Sequence, residues 1–164
     1  MRKIIKDGAI VEDSWIHVAD DAALPAEGDI IVSWTRWQQE PDTLLKRNGR
    51  LGVQATGDVA PEDLAADRDK FSLIALEFPA FKDGRCYSHA RLLRDRYGYR
   101  GELRAVGDVL RDQLFYMHRV GFNAFEVRED RDPEQALQAL KDFDVIYQAA
   151  ADVHEPVWRR RRSA

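Results

Sequence analysis

The spacing of apolar residues switches between two periods along this chain, and the switches mark the elements. "RKIIKDGAIVED" sets two apolar-rich runs on either side of Asp7-Gly8, the pair that a type I′ turn favours, and reads as a β-hairpin. "DSWIHVADDAALPAEG" follows as irregular or weakly extended chain, and "DIIVSW" as a buried strand. "TRWQQEPDTLLKRNG" holds a short helix at best, from near Pro41-Asp42 to Asn48-Gly49, before the short strand "RLGVQA".

From residue 58 the alternation becomes regular. "APEDLAADRDKF" is a helix with Pro61 in its first turn, and "SLIALEF" is a continuous apolar run of the kind buried on both faces. "GRCYSHARLLRDRYG" is a helix closed by Gly98, and "GELRAVG" is a strand. "DVLRDQLFYMHRVG" is a helix with Asp108 as N-cap and Gly121 past its end. "AFEV" is a strand, "DPEQALQALKDF" a helix capped by Asp132 with Pro133 at its first position, and "DVIYQA" a last strand. Repeated strand–helix units predict an α/β fold: an open, largely parallel sheet of βαβ units covered by helices, with the N-terminal β-hairpin at one edge. A half-barrel that pairs with a second copy is the structural alternative. A single domain over residues 1–155, with the hairpin region in 1–20, is followed by a basic tail at 156–164.

Composition narrows the class. With 45% hydrophobic and 33% charged residues among 164, the chain has the make-up of an ordinary globular domain. It has no run of about 20 apolar residues to span a bilayer, and its basic start is too short in apolar residues for a secretory leader. One cysteine, Cys86, allows no internal disulfide, no CxxC pair and no self-contained iron–sulfur cluster, and fits a reducing cytoplasm. The net charge of −4 argues against nucleic acid as the main partner. Arg159–Arg162 account for four positive charges, so the rest of the chain carries −8. They form a solvated tail or, beside Trp158, a docking segment.

Parallel α/β sheets bind ligands outside the carboxyl ends of their strands. That rule selects Glu77, Lys82, Asp83, Arg85, Asp108, Arg111, Asp112 and Arg128 as a shared rim. "KDGR" combines a glycine turn at Gly84 with a helix start and Arg85, an arrangement suited to a phosphate, sulfate or carboxylate. Glu77 and Asp108 are the acid/base candidates. Cys86 shares an apolar stripe with Ala90, Leu93 and Tyr97, which points its thiol into the core. Arg91 and Asp95 can pair on the polar face of the same helix. His17, His89, His118 and His154 form no HxH, HxxxH or HExxH pattern, so no metal site is assigned. No dinucleotide or phosphate-loop motif is present, and the cofactor is left unknown. The apolar helix 109–120 suits a central position or a homo-oligomer interface.

The stretch "EFPAFKDGRCYSHARLLRDRYGYRGELRAVGDVLRDQLFYMHRVGFNAFEV", residues 77–127, resembles the uncharacterised bacterial domain-of-unknown-function family 934. Its members are commonly labelled as oxidoreductases associated with assimilatory sulfite reduction. The resemblance maps that family's motif onto Asp83, Gly84, Arg85, Tyr87, Ser88, Arg91, Arg94, Arg104, Gly107, Asp108, Arg111, Asp112 and Gln113. A small residue such as glycine commonly fills the family's position of Cys86, which argues further against a catalytic thiol. The resemblance implies a cytoplasmic role in sulfur assimilation beside the sulfite reductase haemoprotein, and no known catalytic residue. The combined expectation is an accessory protein of sulfite reduction. It binds an oxyanion or the reductase through Asp83, Gly84, Arg85, Ser88, Arg104, Gly107, Arg111, Asp112 and Arg128. The alternatives are an enzyme acting on a small anion at the same rim, or a non-catalytic interaction module.

Overall fold

The computed structural model of the chain describes residues 2–80, 82–128, 130–141 and 149–154. The hairpin is present as β1 (Lys3–Lys6) and β2 (Ala9–Glu12), paired antiparallel. Asp7 and Gly8 have φ of 49° and 76°, the two left-handed positions that a type I′ turn requires. Then come β3 (Ile16–His17), β4 (Ile30–Ser33), α1 (Trp34–Gln39), α2 (Pro41–Leu45), β5 (Leu51–Thr56) and α3 (Pro61–Ala66). The regular half follows as β6 (Leu73–Phe78), α4 (Arg85–Asp95), β7 (Glu102–Gly107), α5 (Arg111–Val120), β8 (Ala124–Phe125) and α6 (Pro133–Ala139).

All eight strands form one sheet, in the order β2-β1-β8-β7-β6-β5-β4-β3. Strands β3 to β8 lie side by side in chain order and every one of those pairs is parallel. β1 adds antiparallel to β8. An unreversed order of parallel strands is the winding of a barrel, and the sheet curls as a half-barrel flanked by helices. Such a sheet has no point where the strand order reverses. In closed barrels wound in this way, ligands bind at the rim formed by the loops after the strands.

Alternation along the strands gives the sheet two different faces. Ile30, Val32, Val53, Ile74, Leu76, Leu103 and Phe125 belong to the main core, together with Leu64, Leu93, Leu114 and Met117 from the helices. Ile31, Leu73, Ala75 and Val106 form a smaller cluster on the inner face, against which Trp15 packs. The segment between β2 and β3 therefore covers part of the inner face of its own half-barrel.

Three elements differ from the pattern in the sequence. α1 starts directly at the end of β4, because the Ser33 hydroxyl accepts the Arg36 N–H at 3.0 Å and caps it. Asp108 does not cap α5. Its N–H donates to the Phe78 carbonyl at 2.7 Å, which holds the chain against β6 and delays the helix to Arg111. In α5 the residues Leu114, Met117 and Val120 are buried while Tyr116 is 57% exposed, so the helix is amphipathic rather than enclosed on all sides. Most of "DVIYQA" and all of the tail 156–164, including Trp158 and Arg159–Arg162, lie outside the described residues.

Candidate functional site

Because β5 to β8 are parallel, the loops that follow them share one rim. The β5–α3 loop brings in a residue that the sequence did not single out, Asp58. Arg85 donates from Nη1 to Asp58 Oδ1 at 2.5 Å, from Nε to Asp83 Oδ1 at 3.0 Å and from Nη2 to Asp83 Oδ2 at 2.7 Å. Arg85 hydrogen bonding holds the Asp83 carboxyl down at about 2 and pulls Asp58 below its usual range. The two carboxylates, Asp83 foremost, raise Arg85 in return. Gly57 makes this arrangement sterically accessible: a Cβ there would stand 2.8 Å from Arg85 Cβ.

Arg128 is held in the same way. Its Nη1 donates to Asp108 Oδ1 at 3.1 Å, and its Nε and Nη2 donate to Asp130 at 3.0 and 3.2 Å. Asp108 and then Asp130 raise its pKa. Glu77 accepts from Gln54 Nε2 at 2.9 Å. Both acid/base candidates are thus already engaged. Gly84 precedes α4 with φ −94° and supplies no side-chain cap, and the Arg85 N–H turns to Asp83 Oδ1 at 3.2 Å.

Arg111 differs from the other two rim arginines. It stands at the first position of α5, whose N-terminus has no side-chain cap. Among the described residues it has no carboxylate within ion-pair distance. With Asp112, Val127, Arg131 and Gln135 it lines a cavity of about 250 Å³ between the starts of α5 and α6. Asp132 in the same wall is spent as the cap of α6, accepting the Glu134 N–H at 2.9 Å. Ser88 lies away from this corner. It lines an open groove of about 590 Å³ between α4 and α5 with Tyr87, Arg91 and Tyr116.

Arg104 does not join the rim group. It lies within β7 on the inner face, 0% exposed. There its Nη1 and Nη2 donate to Asp13 Oδ2 and Oδ1 at 2.9 and 3.0 Å, and its Nε donates to Glu102 Oε1 at 2.8 Å. Glu126 Oε2 is 3.7 Å from Arg104 Nη1 and 3.4 Å from His17 Nε2, and Arg2 bonds Glu126 Oε1. Burial raises the Glu126 carboxyl, but His17, Arg2 and Arg104 more than offset this and hold it below its usual range. This buried charge cluster was not foreseen. The available signal was "ELR", where Glu102 and Arg104 stand two apart in an otherwise apolar strand and so share a face. Cys86 does face the core. It is 1% exposed, its Sγ donates to the Glu77 carbonyl at 3.3 Å, and burial pushes its thiol up to about 12.

The fold and the rim define a parallel α/β half-barrel with a charged carboxyl-end rim, two of whose arginines are clamped between carboxylates. The chain belongs to DUF934, a family of bacterial proteins of unknown function, whose profile matches residues 52–158. That match takes in the rim loops from β5 to β8 and α6, and leaves out β1 to β4. Comparison with curated proteins and with solved structures finds no match. Among the described residues no helix is long and apolar enough to cross a membrane.

Proposed function

We propose that the protein is a cytoplasmic accessory of assimilatory sulfite reduction that holds a small oxyanion, or the reductase carrying one, at the carboxyl-end rim. The sulfur assignment rests on the family resemblance of residues 77–127. The place of binding rests on one observation: Arg111, without an acid partner among the described residues, faces a cavity at an uncapped helix start. Free N–H groups in a helix's first turn together with an arginine suit sulfite or sulfate, and Arg131 on the same wall, loosely paired to Asp130 at 3.8 Å, adds a second cation. Arg85 and Arg128 are less suited, since an incoming anion would have to displace two carboxylates from each.

A thermal-shift titration with sulfite, sulfate and phosphate tests the site. Stabilisation is expected in the unaltered protein and in Arg85→Ala, and is expected to be lost in Arg111→Ala. No stabilisation by any of the three anions overturns the oxyanion reading. A strain lacking the gene is expected to grow more slowly on sulfate than on cysteine, and equal growth on both removes the sulfur assignment.

A further inference from the structure

Asp13, His17 and Glu126 each bring one ligating atom into a group whose members lie within 4.8 Å of one another. Asp13 and Glu126 are buried, at 7% and 8% exposure. Glu126 Oε2 is enclosed and accepts no well-aligned hydrogen bond, with Arg104 Nη1 standing off at 3.7 Å, so it keeps lone-pair capacity for an ion. It stands 3.4 Å from His17 Nε2. Two donors bound at about 2.1 Å to a tetrahedral ion lie roughly 3.4 Å apart. We propose that Asp13, His17 and Glu126 form a binding site for a divalent first-row transition ion, zinc or manganese.

One imidazole and two carboxylates suit these ions, whereas calcium and magnesium favour oxygen alone. The Arg104 fork does not use up Asp13: Oδ1 also accepts the Trp15 N–H at 3.3 Å, but Oδ2 accepts from Arg104 alone and keeps a second lone pair for an ion. Ligating carboxylates are commonly hydrogen-bonded in this way from behind. Arg104 and Arg2 oppose a cation electrostatically and lower its affinity. The Arg2 side chain, 43% exposed, can withdraw into solvent. Glu126 also lines a cleft of about 480 Å³ with Arg2, Gly107 and Arg128, which gives an ion a way in from the rim. The site is separate from the Arg111 cavity, so either reading can fail alone.

The test uses the full chain, stripped with a chelator and titrated calorimetrically with zinc and, separately, with manganese, each followed by thermal unfolding, and with magnesium as the control. One equivalent is expected to bind and to raise Tm. His17→Ala and Glu126→Gln are each expected to weaken binding at least tenfold, and Arg2→Ala to tighten it. Because Glu126→Gln alters a buried charge cluster, His17→Ala at its exposed position carries the decision. No binding of either ion overturns the site, and so does unchanged affinity in His17→Ala. Magnesium binding as tight as zinc overturns the assigned ligand class.

Discussion

Arg104 and Asp13, 91 positions apart in sequence, meet through two parallel hydrogen bonds of 2.9 and 3.0 Å on the buried inner face of the half-barrel. The fork ties the segment after β2 to the middle of β7, and Glu102 takes a third bond from the same guanidinium. Arg104→Ala leaves the buried Asp13 carboxylate without its counter-charge, while Glu102 keeps its ion pair to Lys6 at 2.7 Å. A loss of about 3–5 kcal/mol is expected, the usual cost of removing one partner from a buried pair. Arg104→Lys keeps the charge but loses the planar fork, and is expected to fall between the two. The joint replacement of Arg104 by Met and Asp13 by Leu is expected to cost less than the two single changes added together. Urea unfolding of the five variants, the Arg104→Met and Asp13→Leu single changes included, checks all three statements.

The fold was more legible than the site. Five of the six parallel strands, β4 to β8, and the helices after residue 58 were readable because burial imposes a period on the sequence; β3, two residues inside a stretch read as irregular or weakly extended chain, was not. The inner-face cluster was not, because its members come from Asp13, His17, Glu102, Arg104 and Glu126 and have no shared spacing. Only curling of the sheet brings Asp13 over β7. Likewise, "KDGR" showed that Arg85 belongs to a rim, but its second acid, Asp58, arrives from the neighbouring β5–α3 loop. A sequence shows which charges a rim can hold, and the tertiary structure decides which of them remain unpaired. Arg85 and Arg128 are held by acids, whereas Arg111 has no carboxylate within ion-pair distance among the described residues.

Gly107 sits at the end of β7 with φ 89°, and a Cβ there would lie 2.5 Å from the Phe78 carbonyl oxygen. Both the left-handed backbone and the close approach require glycine. Gly107→Ala is expected to cost at least about 1–3 kcal/mol in backbone strain alone. It also pushes the loop carrying Asp108 away from β6, weakening the bond from Asp108 N–H to Phe78 O. The denaturation midpoint reads the first effect. Amide hydrogen exchange at Asp108 reads the second, and is expected to speed up more than exchange in β5.

Cys86 is enclosed, with its thiol pushed up to about 12 chiefly by burial. The thiolate is the reacting species in alkylation, so at pH 8 the native protein is expected to resist iodoacetamide while the urea-unfolded chain reacts at an ordinary rate. Rapid native labelling would place the thiol at the surface and reopen a chemical role for it. Cys86→Ala is expected to leave anion-induced stabilisation unchanged.

Asp83 and Arg85 give the rim a pH dependence whose sign is fixed. The folded carboxyl is depressed from 3.8 to about 2 by the hydrogen bonds from Arg85. A depressed acid contributes stability above its unfolded value and loses it as the pH falls through the folded value. The Arg85 clamp is therefore complete at neutral pH and opens only in strong acid. Carboxyl-carbon NMR shifts followed from pH 6 to pH 1.5 are expected to show Asp83 titrating near 2, and in Arg85→Ala returning toward 3.8. Arg85 is exposed and Asp83 half-buried, so added salt is expected to move Asp83 upward as well. A titration near 3.8 in the unaltered protein would mean that Arg85 is not clamped. Arg85 would then rejoin Arg111 as a cation free to take an anion at neutral pH.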